Sequence, residues 1–175
     1  PMIKMDVAKK VIPLGDFKDT IYRIENDGEE MCLIATAEHT LSTLHIDKTF
    51  QKKDLPKLYA GISPAFRREA GVSSDDKGIF RVHNFNKIEM FVYTTKEDSL
   101  EKHNFITSII EEIFSDLELH YEMVDICTGD IGMFANRKYD LEAWLPGQDK
   151  YREMGSSSNY KDFGARKTNT RYQDE

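Results

Sequence analysis

Phe80–Arg81–Val82–His83–Asn84–Phe85–Asn86–Lys87–Ile88–Glu89 lies inside an apolar run from Gly78 to Tyr93, and a second long apolar run, Leu55 to Phe66, precedes it across the polar connection Glu69 to Lys77. In the later run Ile79, Arg81, His83 and Phe85 alternate with Phe80, Val82 and Asn84. That is the period of a strand, with polar and apolar residues on both faces, as expected where one face carries ligands. Upstream, Thr20–Glu25 and Met31–Ala35 read as a hairpin around Asn26–Asp27–Gly28, since Asp–Gly between apolar alternations favours a tight turn. Met2 to Val11 has helical spacing closed by Ile12–Pro13–Leu14–Gly15. Glu38 to Phe50 is expected to be a helix with Leu41, Leu44 and Ile46 inward. Downstream, Asp98 to Leu117 is the clearest helix, with Ile106, Ile109, Ile110, Ile113, Phe114 and Leu117 forming a core stripe. Leu119–Cys127, Lys138–Leu145 and Tyr151–Ser157 follow as strands, then a short helix near Asp162–Lys167 and a strand-like Thr170–Arg171–Tyr172. Strands outnumber helices and do not alternate with them as βαβ units. The expected class is therefore α+β, a mostly antiparallel sheet flanked by helices.

The chain has 175 residues, enough for one domain that hides roughly 70 % of its unfolded surface. Charged residues make up 31 % and the net charge is −7, so a polyanion would have to find a local basic patch. The longest apolar run unbroken by a polar residue, Met31 to Ala35, is far below the roughly 18 residues a membrane span needs, so no membrane association is expected. Cys32 and Cys127 are isolated thiols without metal-binding spacing, which fits a reducing cytoplasm and core positions for both. Pro1 at the start and Asp174–Glu175 directly after a strand-like segment suggest a piece of a longer protein.

Glycine-rich phosphate loops, H-E-x-x-H and G-x-S-x-G are absent, so phosphate would have to be held by side chains. Phe66–Arg67–Arg68–Glu69 at the end of one strand and Arg81 to Phe85 on the next supply what a nucleotide needs. An arginine fork suits phosphate oxygens, a carboxylate accepts from an exocyclic amine, and an aromatic face stacks a base. The same residues also fit a plain cross-strand Arg–Glu surface pair. His39, His45, His103 and His120 read as surface or helix-face residues rather than catalytic bases, and His83 as a support for the site. Arg166, Lys167 and Arg171 fit an RNA-facing patch and a solvated helix end equally well.

Phe66–Arg67–Arg68–Glu69, a loop, and Phe80 to Glu89 together resemble motif 2 of class II aminoacyl-tRNA synthetases in its seryl form. Thr36–Ala37–Glu38 is similar to the TxE element of that family. Cys127–Thr128–Gly129–Asp130, Tyr139 to Gln148, Tyr151–Arg152–Glu153 and Ser158–Asn159 followed by Asp162 to Arg166 agree in order and spacing. The resemblance covers essentially the whole chain. It implies a single partial catalytic domain over 1–175, of class II synthetase fold but incomplete, with most of motif 1, motif 3 and the tRNA-binding coiled-coil arm outside it. It implies a serine–tRNA ligase, in which serine attacks ATP to give seryl-adenylate and the seryl group passes to tRNA(Ser). The full-length protein would be a cytoplasmic homodimer, and the piece alone weakly active or inactive.

The resemblance also assigns roles. Arg67 and Glu153 would be catalytic, Arg67 on the α-phosphate of ATP and Glu153 holding the Mg2+ that accompanies it. Arg68, Glu69, Val82, Phe85, Met154, Gly155 and Ser156 would complete the ATP site, Glu69 on the adenine amine and Phe85 stacked on the ring. Thr36, Ala37, Glu38 and Glu89 would bind serine. Thr36 stands where a zinc-using branch has cysteine, so no zinc is expected. The 70–77 loop is shorter than usual and carries acids where the family often has arginine, and Ser157 stands where cysteine is frequent. Two other readings remain open: a ligase that charges a protein carrier with an amino acid, and a non-catalytic synthetase-like interaction module.

Overall fold

The computed structural model describes residues 1–12, 19–69 and 78–174. These form two compact units, Pro1–Tyr93 with Gly164–Glu175, and Thr94–Phe163. The loop expected at 70–77 lies outside the described residues, as does the 13–15 end of the first segment. Among the described residues the class is α+β: every strand pairing is antiparallel except one, and the strands are divided among four small sheets.

In the first unit, β1 (Met2–Lys4), β3 (Glu29–Leu33) and β2 (Arg23–Asn26) form an antiparallel sheet in that order, with α1 (Met5–Val11) packed on β3. The expected helix from Met2 is corrected here: its first three residues are strand, because Ile3 pairs opposite Cys32 and enters the core. In α1, Met5, Ala8 and the capping Ile12 share one face and bury against Ile3, Ile21, Cys32 and Ile34. The hairpin turn is Asp27–Gly28, both with positive φ (48° and 83°), the conformation that Asp–Gly supplies at low cost.

α2 is a single turn, Glu38–Leu41, and the chain then passes through turns to β4 (Thr49–Gln51). The helix expected to run to Phe50 does not form, and Leu44 is exposed. Two causes are visible. The Thr40 and Thr43 hydroxyls donate to the Ala37 and His39 carbonyls (both 2.8 Å), side-chain bonds that compete with a continuing backbone ladder. The chain end also captures the segment: Asp47 N–H donates to the Thr168 carbonyl, Thr170 Oγ1 to the His45 carbonyl, and β10 (Arg171–Gln173) pairs in parallel with β4.

β5 (Lys57–Phe66) and β6 (Asn84–Tyr93) form a ten-residue antiparallel ribbon, with Ala65 opposite Phe85 and Gly61 opposite Glu89. Arg81 and His83 precede the strand rather than alternate within it. On the ribbon's inner face Tyr93 packs against His45 (5.1 Å between ring centroids), Phe91 (5.0 Å) and Tyr59 (6.1 Å). The Tyr93 hydroxyl donates to the Leu41 carbonyl at the end of α2 (2.6 Å), and burial pushes its phenol pKa up. This bond ties α2 to the ribbon.

In the second unit β7 (Tyr121–Asp125), β8 (Arg137–Leu145) and β9 (Lys150–Asn159) form an antiparallel sheet against α3 (Ser99–Asp116). The chain then enters α4 (Phe163–Thr168), which from Gly164 on belongs to the first unit. The buried face of α3 differs from the expected stripe. Ile113 and Leu117 are exposed, while His103, Thr107 and Phe114 are buried. Polar contacts rotate the face: Thr107 Oγ1 donates to Ser157 Oγ (2.9 Å) and the His103 ring stacks on Tyr139 (5.6 Å). β9 runs against α3 at Gly155, where a Cβ would stand in ordinary contact with Ile110 (3.4 Å) and Phe114 (3.7 Å). No helix among the described residues is long and apolar enough to cross a membrane.

Replacing Tyr93 by phenylalanine removes the shorter bond to the Leu41 carbonyl and leaves it only the 3.4 Å bond from the Leu44 N–H. The expected loss is about 1–2 kcal/mol of unfolding free energy, read from urea denaturation at constant slope.

Candidate active site

Strand periodicity puts Phe85, Lys87 and Glu89 on one face of β6, opposite Ala65, Ser63 and Gly61. Glu89 is largely buried there, its side chain 17 % exposed. One of its oxygens, Oε1, accepts from both the Thr36 hydroxyl and the Lys87 ammonium (2.6 Å for the latter). Among the described residues no donor reaches Oε2. Thr36 is itself buried at the entry to α2, and its Oγ1 also accepts the Glu38 N–H (3.2 Å). Ala37 is buried, its carbonyl accepting the Thr40 and Leu41 N–H groups. Thr36, Ala37, Glu38 and Glu89, expected together from the sequence, thus meet where α2 crosses the ribbon.

Arg67 leaves the end of β5 with its N–H donating to the His83 carbonyl (3.0 Å) and its Nε to the Ala35 carbonyl (3.1 Å). Its guanidinium carbon sits 5.3 Å from the centroid of the Phe85 ring. The cation and the aromatic ring expected to share a nucleotide site are therefore in contact, and the Ala35 carbonyl that holds the cation immediately precedes Thr36 in the chain. Val82, two residues before β6, is partly buried. Glu69, partly buried two residues beyond Arg67, makes no hydrogen bond or ion pair among the described residues, so its oxygens remain acceptors. Arg68 points elsewhere, as a neighbour in extended backbone does. It lines a cleft of about 430 Å³ with Asp19, Ile21, Tyr22 and Arg23.

His39, expected on a surface or helix face, is on α2 but buried, and its Nδ1 has no partner among the described residues. Burial first, then the charges of Arg67 and Lys87, push its pKa down to about 4, so at neutral pH the ring is uncharged. His83 supports the site through its carbonyl on Arg67, and its Nδ1 pairs with the Tyr22 hydroxyl. His103 is also buried, and Cys127 is exposed rather than a core thiol; Cys32 is buried as expected. Sequence reasoning left Lys87 without a role. The same alternation that aligned Phe85 with Glu89 places it between them.

Glu153, Met154, Gly155 and Ser156 lie on β9 in the second unit. The register shifts between Leu141 and Glu142: Gly155 pairs with Leu141 and Glu153 with Glu142, leaving Met154 as an extra, bulged residue. In a regular strand Glu153 would share a face with Gly155 and Ser157. The bulge reverses it, so Gly155 and Ser157 face α3, while Glu153 shares the opposite face with Ser156, Glu142 and Asp140. Bulges re-aim side chains in this way next to active sites. A carboxylate and a hydroxyl on one face suit a magnesium ion that arrives on nucleotide phosphates, because Mg2+ takes one or two protein carboxylates and otherwise phosphate oxygens and water. Among the described residues no group of three or more His, Cys, Asp or Glu side chains is placed to hold a metal by itself.

In the first unit the ribbon brings an arginine–phenylalanine contact and a hydroxyl-bound glutamate together, and in the second a bulged strand carries a carboxylate; comparison with known families assigns the chain to the class II tRNA synthetases. The family model of the tRNA synthetase class II core domain (G, H, P, S and T) matches residues 22–175, and the chain belongs to that family. The serine–tRNA ligase of Thermococcus onnurineus is 51 % identical over 174 residues, 99 % of this chain and 38 % of that protein. The crystal structure of seryl-tRNA synthetase from Pyrococcus horikoshii complexed with ATP superposes with a TM-score of 0.94 at 48 % identity, covering 99 % of this chain and 39 % of that one. The cytoplasmic serine–tRNA ligase of Naegleria fowleri in complex with AMP gives 0.92 at 37 %, covering 98 % and 41 %. The chain thus spans about two fifths of the length of these relatives.

A histidine whose folded pKa lies below its unfolded value binds fewer protons folded than unfolded, so it costs stability as pH falls from about 6.5 towards about 4. His39 is expected to remove up to about 3 kcal/mol of stability across that window. Thermal midpoints measured between pH 7 and pH 4.5 should fall less steeply for His39→Gln than for the unsubstituted protein.

Proposed function

We propose that the protein containing this chain is a serine–tRNA ligase, and that 1–175 is a single partial catalytic domain of it, the middle portion around motif 2. The observation that carries this reading is the juxtaposition on one ribbon face of the Arg67–Phe85 contact with the Thr36–Glu89 hydrogen bond. The first suits a nucleotide and the second a small amino acid with a hydroxyl. High identity to serine–tRNA ligases over almost the whole chain, and likeness to structures holding ATP and AMP, support it.

In the first step the serine carboxylate oxygen attacks the α-phosphorus of ATP, the bond to the β-phosphate oxygen breaks, and pyrophosphate departs with its magnesium. Arg67, held by the Ala35 carbonyl and stacked on Phe85, neutralises charge growing on the α-phosphate oxygens. Phe85 stacks the adenine and Glu69 accepts from its exocyclic amine, beside Val82. Glu153 and Ser156 would supply protein oxygens to the nucleotide-borne magnesium, with Met154 forming the bulge that aims them and Gly155 seating the strand on α3. Thr36, Glu38 and Glu89 orient the serine, and Ala37 holds the turn that carries them. In the second step the terminal ribose hydroxyl of tRNA(Ser) attacks the seryl carbonyl and AMP leaves. Both steps rest on positioning and charge, and neither needs a covalent enzyme nucleophile. The full-length protein would act as a cytoplasmic homodimer without zinc.

Serine-dependent ATP–pyrophosphate exchange on the full-length protein tests the reading. Arg67→Ala should lower kcat/KM by about 10²–10³-fold, the size of losing one charge-stabilising group. Thr36→Ala should raise the KM for serine by about tenfold and leave that for ATP unchanged. No exchange in the full-length protein would exclude the ligase and favour an interaction module. Exchange followed by loading of a carrier protein, but not of tRNA(Ser), would favour the carrier ligase. Residues 1–175 alone should exchange far more slowly than the whole protein.

A further inference from the structure

Lys87 stands between the two halves of the proposed site. On one face of β6 it is flanked by the Phe85 ring and the Glu89 carboxylate, each about 6–7 Å along the strand. Its ammonium reaches Glu89 and not a solvent-exposed acid. An exposed Lys–Glu pair does little, but Glu89 is largely buried, and a charge-assisted contact counts for more where water is excluded.

The arrangement on Glu89 is asymmetric. Thr36 and Lys87 both donate to Oε1, so that oxygen is saturated from two directions and the carboxylate cannot rotate without losing both. Oε2 keeps its acceptor capacity. The same lysine offsets the charge of Glu89 in an acidic chain whose neighbouring nucleotide is itself a polyanion, while His39 beside it stays neutral. A carboxylate with two free oxygens accepts any ammonium in several orientations. One with a single remaining acceptor, fixed in direction and already partnered by a cation, favours a substrate that places a neutral donor there.

We propose that Lys87 is a positioning residue for amino-acid selection: with the Thr36 hydroxyl it locks Oε1 of Glu89 and leaves Oε2 as the acceptor that reads the hydroxyl of the substrate. This rests on the serine-activating reading above. It also leaves Glu38 as the acid for the substrate's ammonium.

The test is ATP–pyrophosphate exchange by the full-length enzyme with serine and with alanine, for the unsubstituted protein, Lys87→Met and Lys87→Arg. Lys87→Met should raise the KM for serine about tenfold to a hundredfold, the range for losing a charged hydrogen-bond partner. Its KM for ATP should stay within about twofold, and its preference for serine over alanine should shrink by about the same factor as the serine KM grows. Lys87→Arg keeps the cation and should recover most of both. The proposal is overturned if the serine KM of Lys87→Met stays within about twofold, if the ATP KM rises as much as the serine KM, or if serine and alanine are lost in parallel so that their ratio holds. Should a thermal scan show Lys87→Met unfolded, Lys87→Gln, which also removes the cation, takes its place. A rise in its serine KM of several-fold or more without change for ATP supports the role, and an unchanged serine KM or a matching rise for ATP refutes it. If the unsubstituted enzyme shows no serine-dependent exchange at all, the activity reading fails instead, and the two failures are told apart.

Discussion

The register between β5 and β6 is the constraint on which the site depends. Side chains on a strand alternate strictly, so a slip of one residue would carry Phe85, Lys87 and Glu89 together to the far face. There they would join Ile62 and Ile88, which pair across the ribbon and are exposed. Thr36 would then face no acceptor and Arg67 no ring. The pairing runs for ten residues without a shift, from Lys57 opposite Tyr93 to Phe66 opposite Asn84. The aromatic contacts around Tyr93 hold one end, and the Arg67 N–H on the His83 carbonyl continues it past the other. β9 uses the opposite device: its register is broken once, at Met154, and that break turns Glu153 to the same side as Ser156.

The brevity of α2 serves the same end. A helix continuing to Phe50 would have carried His45 and Phe50 away from the ribbon. Instead the chain turns after Leu41, and His45, Phe50, Tyr59 and Tyr93 pack as one aromatic group beneath the site. The short helix is thereby pinned at its end by the Tyr93 hydroxyl and at its start by Thr36 on Glu89. The side chains proposed to bind substrate sit on an anchored turn rather than on a free loop, which limits the reorganisation required when substrate arrives.

Electrostatics reconcile an acidic chain with the nucleotide site proposed for it. Net charge is −7, yet Arg67 and Lys87 converge on one ribbon face and lie close enough to His39 to help keep it neutral. Each cation is fixed by a local acceptor, Arg67 by a backbone carbonyl and Lys87 by Glu89, so the positive charge is organised before a phosphate comes near.

Strand periodicity and the Asp–Gly turn follow from side-chain alternation and backbone freedom alone, so the α+β class, the first hairpin, the long ribbon and the Ser99–Asp116 helix were legible in the sequence. The resemblance to motif 2 and to the TxE element pointed to Thr36, Arg67, Phe85 and Glu89, and alternation along β6 puts Phe85 and Glu89 on one face. Long-range contacts decided the rest. The first three residues became strand because β3 offered an edge, and the second helix stopped because Thr hydroxyls and the chain end competed for its backbone. Polar contacts brought His103 and Thr107 onto the buried face of the long helix beside Phe114 and left Ile113 and Leu117 exposed, and a bulge aimed Glu153. Lys87 was visible as a residue but not as a partner: a lysine on a strand reads as solvated until a buried carboxylate, brought from across the fold to meet Thr36, gives its charge a place to go.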